Sequence, residues 1–515
     1  MNGKPDTGVP AAPAVPAGSA SSFLGKAGPL VLARLFTAGL TLSIPLVLAR
    51  VLSLEEYGTY YQLFLIATTL YYVLPFGMVQ SLYYFVPRAE EKRPWLGQAL
   101  LFTSGAGLLG AALVWGLLGL VAHKFGNPGL LAHRGTLAAY TAFLTGSYPL
   151  EISLTSQGRT KQSALVYLVS DAVRAAVMVL PCLLGAGLHG MMMAVAGFAF
   201  LRYVATWVVV SRGATGPLAR AELWRQQLVY AAPFGAAMAL AIPQQNAHLY
   251  MVAGAVAPAL YALYRVGCFQ LPVVDLLYTP TSEVLMVRLG ELDKQGRMEE
   301  GVEAFREAAG KLAFVFLPFA AFLFAAAPEF IGALFGAKFL PAVPIFRVSV
   351  LGVVLAILPM DGVLRARGHT RAIFLSYLLK AVVTAPLVWF GVKRFGMMAG
   401  VISWAVAEVV GKSTLLVRVP AALSTPARAL RIRDVIPWRE LGKASLAAVA
   451  AALSVFLLRA GTVHAWSGLP EGFIWRALPL ALAGVLFAMG YVGVLYVTGV
   501  RPLSLLASLR SRRAG

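Results

Sequence analysis

Charge is scarce in this sequence, and acid is scarcer still. Only 13% of the 515 residues are Asp, Glu, Lys or Arg, and Lys plus Arg outnumber Asp plus Glu by 43 to 22. With 59% hydrophobic residues, the chain cannot clothe itself in polar surface, which excludes an ordinary soluble globule. Cysteine is nearly missing: Cys182 and Cys268, both in apolar segments, make neither a disulfide framework nor a metal site. No nucleotide-binding loop and no metal-ligand spacing occurs, so ATP-driven transport by this chain is not expected and no cofactor is implied. Residues 1–22, rich in Ala, Pro, Gly and Ser, lack the apolar core of a cleavable signal and read as a disordered cytosolic tail. The first apolar helix, from about Phe23 to Leu52, then serves as an uncleaved insertion signal.

What the chain does have is apolar length. Runs of roughly twenty residues recur throughout, about fourteen in all, each long enough to cross a bilayer as a helix. Lipid offers the backbone no partners, and these lengths favour helices over barrel strands. The fold class expected is therefore all-α and polytopic.

The net charge of +21 first suggests nucleic acid, but its distribution argues otherwise. Basic residues cluster in alternate loops, as at Arg88, Lys92 and Arg93, at Arg159 and Lys161, at Arg212, Arg220 and Arg225, and at Arg365, Arg367 and Arg371. The intervening loops hold few, such as Lys124, Arg134 and Lys338. This positive-inside pattern puts the basic loops and both termini in the cytoplasm and leaves no nucleic-acid partner to explain. Attraction to anionic membrane lipid accounts for some of the remainder.

Two stretches 210 residues apart repeat one another. PLEISLTSQGRTKQSALVYL begins at Pro149 and PMDGVLRARGHTRAIFLSYL at Pro359, aligning Gly158 with Gly368, Thr160 with Thr370 and Tyr167 with Tyr377. The acids Glu151 and Asp361 coincide, as do the cations Lys161 and Arg371. A weaker echo pairs Tyr57 with Tyr261 and Tyr60 with Tyr264. The offset spans six helices, an even number, so both copies enter the membrane in the same direction and form parallel lobes. The expected parts are an N-lobe (23–210), a cytosolic connector (211–225), a C-lobe (226–418), a basic connector (419–443), two final helices (444–500) and a basic tail (501–515).

With this organisation the chain resembles the multidrug/oligosaccharidyl-lipid/polysaccharide (MOP) exporter superfamily, and is most similar to its polysaccharide-biosynthesis, Wzx-type flippase branch. The residues that carry the likeness are ARVLSLEEYGTYYQ from Ala49, GMVQSLYYFVPR from Gly77, APEFIGALFGAKFLPAVPIFRV from Ala327, and the paired GRTK and GHTR loops. It extends from about Phe23 through Arg418, and the two last helices complete the family's usual fourteen. The resemblance implies a MATE-like pair of six-helix lobes in the bacterial inner membrane. It also implies export of an undecaprenyl-pyrophosphate-linked oligosaccharide by alternating access, with polysaccharide polymerase or assembly proteins as possible partners. Composition alone names no such substrate.

A flippase must carry an anionic head group through a region that excludes charge, and an inward-facing cationic cavity would replace water around the phosphates. A charged residue at a helix centre costs about 2.5–3.5 kcal/mol on insertion scales, so each one that persists needs a cavity or a partner. The candidates for substrate binding are Arg34, Arg174, Arg202, Arg265 and Lys380. Arg202 and Arg34 lie close enough to helix ends to snorkel. Arg174 has Asp171 three residues before it on the same helix face, so a local ion pair is the plainer account. Lys380 takes the place of Ser170 in the other copy, which breaks the repeat. Arg174, Arg265 and Lys380 are the first choices.

Asp171, Asp275, Glu151, Asp361 and Glu408 are the carboxylates placed for ion coupling or gating, with H⁺ and Na⁺ both left open. Glu151 and Asp361 each lie seven residues before the loop glycine, about 10 Å along a helix. A gate latch and simple pairing with Arg159 or Arg365 both fit them. Glu408 has Lys380 and Lys412 as available partners. Pro233, Pro243, Pro272 and Pro280 are expected to interrupt or end their helices, and Gly58 and Gly336 to mark turns or helix ends.

Two other functions compete. A drug/cation antiporter of the same superfamily would favour an acidic, aromatic cavity. A membrane polymerase or ligase would need a sizeable outer segment bearing acids or His, whereas the outer loops are short and His123, His133 and His464 are scattered, so no enzyme is expected.

Overall fold

The computed structural model describes residues 39–212, 216–269, 271–426, 428–467 and 473–499. Arg34 and both terminal tails lie outside the described residues. The chain is all-α: among the described residues no named strand forms, and nine helices are long and apolar enough to cross a bilayer. It is a multi-pass membrane protein.

The N-lobe contains α1 (Gly39–Val51), α2 (Leu54–Val73), α3 (Leu82–Phe85), α4 (Arg93–Lys124), α5 (Arg134–Gly146), α6 (Pro149–Ser156), α7 (Thr160–Leu183) and α8 (Gly187–Arg212). The C-lobe contains α9 (Ala221–Ala253), α10 (Pro258–Gly267), α11 (Val273–Lys294), α12 (Gly301–Ala325), α13 (Ala327–Leu334), α14 (Val343–Leu355), α15 (Met360–Ala366), α16 (Thr370–Phe395) and α17 (Met397–Leu423). A short α18 (Ile432–Val435) leads to α19 (Trp438–Ser467) and α20 (Phe473–Val497), which pack on α12 and α13. Several passes are broken helices, so their halves are individually short of the ~20 residues a span requires.

The duplication is visible in the backbone. A six-residue 3-10 turn (Pro128–His133) leads into α5, of thirteen residues, and a second six-residue turn (Ala337–Ala342) leads into α14, also of thirteen. Each is followed by a break, a short helix, a glycine and a long helix. Gly158 and Gly368 stand at that last turn with φ of +79° and +69°, a conformation a side chain rarely adopts. The 210-residue spacing persists to the start of the last pair, with α8 opening at Gly187 and α17 at Met397.

The tyrosines of the weaker echo explain where the lobes meet. Tyr57, Tyr60, Tyr261 and Tyr264 are all buried, and α2 packs directly on α10 at the face opposite the basic loops. Gly58 is not the turn expected: it lies inside α2, and a Cβ there would sit 1.9 Å from the Pro258 carbonyl oxygen. Its missing side chain is what lets two helices from different lobes touch. Gly336, by contrast, does stand at a helix end. Ser53 and Glu56 form a capping box at the start of α2, the Glu56 amide donating to Ser53 Oγ at 3.2 Å and the Ser53 amide to Glu56 Oε2 at 3.0 Å.

The same face carries a reciprocal exchange. Arg50, from α1, donates to the carbonyls of Ala333 and Leu334 at the end of α13. Lys338, from the C-lobe, donates to the Leu52 carbonyl at 2.6 Å, just past the end of α1. Each lobe thus supplies a cation to a helix C-terminus of the other, where unpaired carbonyls and the helix dipole favour positive charge.

Helix α9 crosses between lobes. Its first half sits against the N-lobe, with Ala231 packed among Met78, Val79 and Leu82 and the Gln227 amide donating to Ser81 Oγ at 2.9 Å. Its second half touches both lobes: Val252 lies against Gly400 of α17, while the Tyr250 hydroxyl donates to Thr69 Oγ1 of α2 at 2.7 Å. Pro233 and Pro243 lie within this 33-residue helix and do not interrupt it, contrary to expectation. Neighbouring helices on both sides hold the segment, the setting in which membrane helices tolerate proline. Pro272 does mark a break, between α10 and α11, while Pro280 is inside α11.

Candidate functional site

A cavity of about 890 Å³ lies where α1 and α2 face the C-lobe helices α9, α10, α11, α14, α16 and α17. Its cations are Arg265, Lys380 and Lys412, and its carboxylates Asp275 and Glu408. Arg265, from α10, lies over the ring of Tyr61 on α2, its guanidinium carbon 4.5 Å from the centroid. A cation of one lobe therefore rests on an aromatic face of the other, an attraction that strengthens when desolvated. Lys380 of α16 is buried and ion-pairs with Glu408 of α17. Four residues on, one helical turn away on the same face, Lys412 lies 5.1 Å from the Tyr278 ring centroid. Gln245, Asn246, Tyr377 and Trp404 add polar and aromatic lining, and His248 Nδ1 is 2.7 Å from the Tyr264 hydroxyl.

Four of the expected residues, Arg265, Lys380, Asp275 and Glu408, are thus brought to one cavity. The others among the described residues are distributed through the lobes. Arg174 ion-pairs with Asp171 at 2.9 Å and donates to Thr41 Oγ1 at 3.2 Å, which makes it a neighbour of the cavity wall through Thr41. Arg202 turns inward to Glu151, at 2.6 Å, and also donates to Ser147 Oγ at 3.2 Å. Both partners are almost fully buried, with side-chain exposures of 13% and 4%. Asp361 pairs with Arg365 and accepts from the Tyr278 hydroxyl and from Ser282 at 3.3 Å.

The two lobes share a device that sequence reasoning missed. Adding 210 to Glu151 and Arg202 gives Asp361 and Lys412. In the N-lobe the acid and the cation touch; in the C-lobe Tyr278 stands between them, its ring under Lys412 and its hydroxyl on Asp361. Extending the ungapped alignment from Ser170/Lys380 to the last helix of each lobe would have revealed it. The same extension sets Phe198 opposite Glu408. The buried pair Lys380–Glu408 therefore has no ionic counterpart in the N-lobe.

The profile of a family described as "Polysaccharide biosynthesis protein" matches residues 47–344. No curated protein matches the chain at a significant level. Among solved structures, the chain is similar to the lipid II flippase MurJ in an inward closed conformation, with a TM-score of 0.67 and 14% identity over 91% of this chain and 99% of that one. It is also similar to an inward-facing multidrug resistance MATE family transporter of the MOP superfamily, with a TM-score of 0.58, 14% identity, and coverage of 76% and 96%. The Vibrio cholerae MATE transporter VcmN follows at 0.53 and 13%, covering 80% and 99%. At these identities the likeness is one of fold, and the fold is that of two-lobed transporters.

Proposed function

The chain belongs to the polysaccharide biosynthesis protein family, and from that premise we propose that it is a flippase for an undecaprenyl-pyrophosphate-linked oligosaccharide, the repeat unit of an O-antigen, capsule or exopolysaccharide. In this reading the cargo passes from the cytoplasmic to the periplasmic leaflet of the bacterial inner membrane, both termini being cytoplasmic. No covalent bond is broken, so the chain acts as a transporter and not as an enzyme.

The observation that carries the reading is the central cavity, where three cations meet two carboxylates at the lobe interface. An excess of positive charge in a confined, partly apolar space suits a pyrophosphate, and Arg265 offers the planar donor set that phosphate oxygens accept bidentately. Gln245 and Asn246 carry both donors and acceptors for sugar hydroxyls, and Trp404 supplies an amphipathic face. Arg174, beside the cavity wall through Thr41, is a further cation for the cargo, and Arg34 is proposed as another; Arg202, locked to Glu151, is set back from the cavity.

Alternating access requires the lobes 23–210 and 226–418 to rock about the connector 211–225, with the pair 444–500 carried on the C-lobe. The cation exchange at Arg50 and Lys338 holds the opposite face together, which supports an inward-facing arrangement; opening outward would break it. Coupling to H⁺ or Na⁺ falls to the carboxylates facing the cavity, Asp275 and Glu408, with Asp361, Glu151 and Asp171 acting on the gates.

A drug/cation antiporter remains the second reading because Asp275 and Glu408 share the cavity with Tyr61, Tyr377 and Trp404. Mass spectrometry of lipid co-purified with the protein separates the two: a polyprenyl-pyrophosphate glycan is expected. Deleting the gene should trap the lipid-linked unit on the cytoplasmic leaflet and abolish a surface polysaccharide. Unchanged polysaccharide in a strain with no second flippase rules the flippase reading out.

A further inference from the structure

A second cavity, of about 620 Å³, lies between residues 306–314 of α12 and the first turn of α19 and shares no lining residue with the central one. Ile436 and Pro437, which follow the stretch bearing Arg428, Arg431 and Arg433 in the basic connector, form part of its wall. Three cations line it, Arg306, Lys311 and Arg439, against the acids Glu307 and Glu440. Glu307 is already neutralised from both sides, accepting from Arg288 and from Lys311 at 2.7 Å each. Glu440 lies toward α12, beside Gly310. Arg306 donates through one nitrogen to the Asp434 carbonyl, while its Nε is buried and has no hydrogen-bond partner. The balance is cationic, and it includes a donor that the protein itself leaves unsatisfied.

The surroundings of the cavity are those of a membrane surface. Trp438 stands at its edge, 61% exposed, with its indole nitrogen donating to the Arg433 carbonyl at 3.2 Å. An aromatic ring with one apolar side and one tethered polar atom is the usual anchor at head-group level. From Trp438 an exposed apolar stripe, Leu446, Val449, Leu453 and Leu457, runs along one face of α19 into the bilayer. Phe314 adds apolar wall on the α12 side.

We propose that this cavity binds the phosphate-bearing head group of an anionic phospholipid of the phosphatidylglycerol type, with its acyl chains along the α19 stripe. A free anion would use the cations but not Trp438 or the stripe; a zwitterionic lipid would use the stripe but place its own cation among the arginines. Basic pockets between membrane helices on the cytoplasmic side are suited to anionic head groups on these grounds. Because α12 belongs to the C-lobe and α19 to the final pair, a lipid bound here clamps one to the other.

The test uses the purified full-length chain, delipidated and mixed with equal amounts of phosphatidylglycerol and phosphatidylcholine, with bound lipid counted by native mass spectrometry. Wild type should retain phosphatidylglycerol preferentially, and inorganic phosphate in large excess should not displace it. Arg439→Gln, at an exposed position where folding is not at stake, should lower that retention about fivefold, and Lys311→Gln by a similar factor, with phosphatidylcholine unchanged. Equal retention of the two lipids by wild type, retention unchanged in Arg439→Gln, or displacement by inorganic phosphate overturns the proposal.

Discussion

The two lobes are copies that have stopped being equivalent, and the difference lies in where each keeps its charge. In the N-lobe, Glu151 and Arg202 close on each other at 2.6 Å in a nearly water-free setting, and the pair faces neither solvent nor the central cavity. In the C-lobe the same two positions, Asp361 and Lys412, are held apart by Tyr278, and Lys412 reaches the cavity wall. The C-lobe also carries Lys380 and Glu408 where the N-lobe has Ser170 and Phe198. A charge that is locked to its partner braces a helix bundle; a charge with an intermediary between it and its partner can respond to a ligand or an ion. Duplication thus supplied one bracing lobe and one lobe whose polar groups line the cavity.

That contrast can be broken most sharply at the cavity. Arg265→Ala and Lys380→Ala should each lower export per folded molecule about tenfold to a hundredfold, the worth of one charge-assisted contact to phosphate, although Lys380→Ala also strands Glu408 and so lowers stability. Arg174→Ala should lower it less, because that side chain reaches the cavity only by way of Thr41. The measurement is trapped lipid-linked intermediate per unit of membrane protein, and wild-type export in all three variants would remove the cavity from the account.

Next come the paired acids. Glu151→Gln leaves Arg202 buried without its counter-ion and should destabilise the fold by about 3–5 kcal/mol, whereas Asp361→Asn frees the half-exposed Arg365 and should cost about 1 kcal/mol or less. Thermal unfolding in detergent should therefore separate the two lobes clearly. Equal losses would mean that the tyrosine does not distinguish the copies.

A smaller effect is expected where the copies touch. Gly58→Ala drives a Cβ into the Pro258 carbonyl and should cost about 1–3 kcal/mol through overpacking, read as lost monodispersity on size exclusion. The smallest is at the reciprocal caps. Arg50→Ala or Lys338→Ala should each weaken closure of that face by about 0.3–1 kcal/mol, seen as faster labelling of a cysteine placed at the buried Ala333.

Much of the fold was legible because lipid imposes it. Apolar runs of spanning length, basic loops at alternate turns and the Pro149/Pro359 repeat were enough to read an all-helical, two-lobed membrane protein. The misreadings came where a residue's role depends on a partner far along the chain. Gly58 has the look of a turn glycine until Pro258 is seen against it, and Pro233 and Pro243 look like breaks until both lobes are seen to hold α9. The candidate charges were legible as a set, since each intramembrane cation needs a reason to be there. Their sorting was not. Arg202 has the spacing of a snorkelling residue, yet it turns to Glu151, 51 positions back in sequence. Lys412 drew attention only as a partner for Glu408, although its one-turn spacing put it on the same face.

By itself, the sequence determined that the backbone must be helical, that it crosses the bilayer many times, and that the crossings form two parallel copies. Those properties depend on composition and period, which a chain carries locally. Only the tertiary structure decided which cation meets which acid, that α2 and α10 close one face, and that the cavity belongs mostly to the C-lobe. A buried charge is costly unless a partner meets it at hydrogen-bond distance, so pairings are settled by packing to within an ångström and not by spacing along the chain.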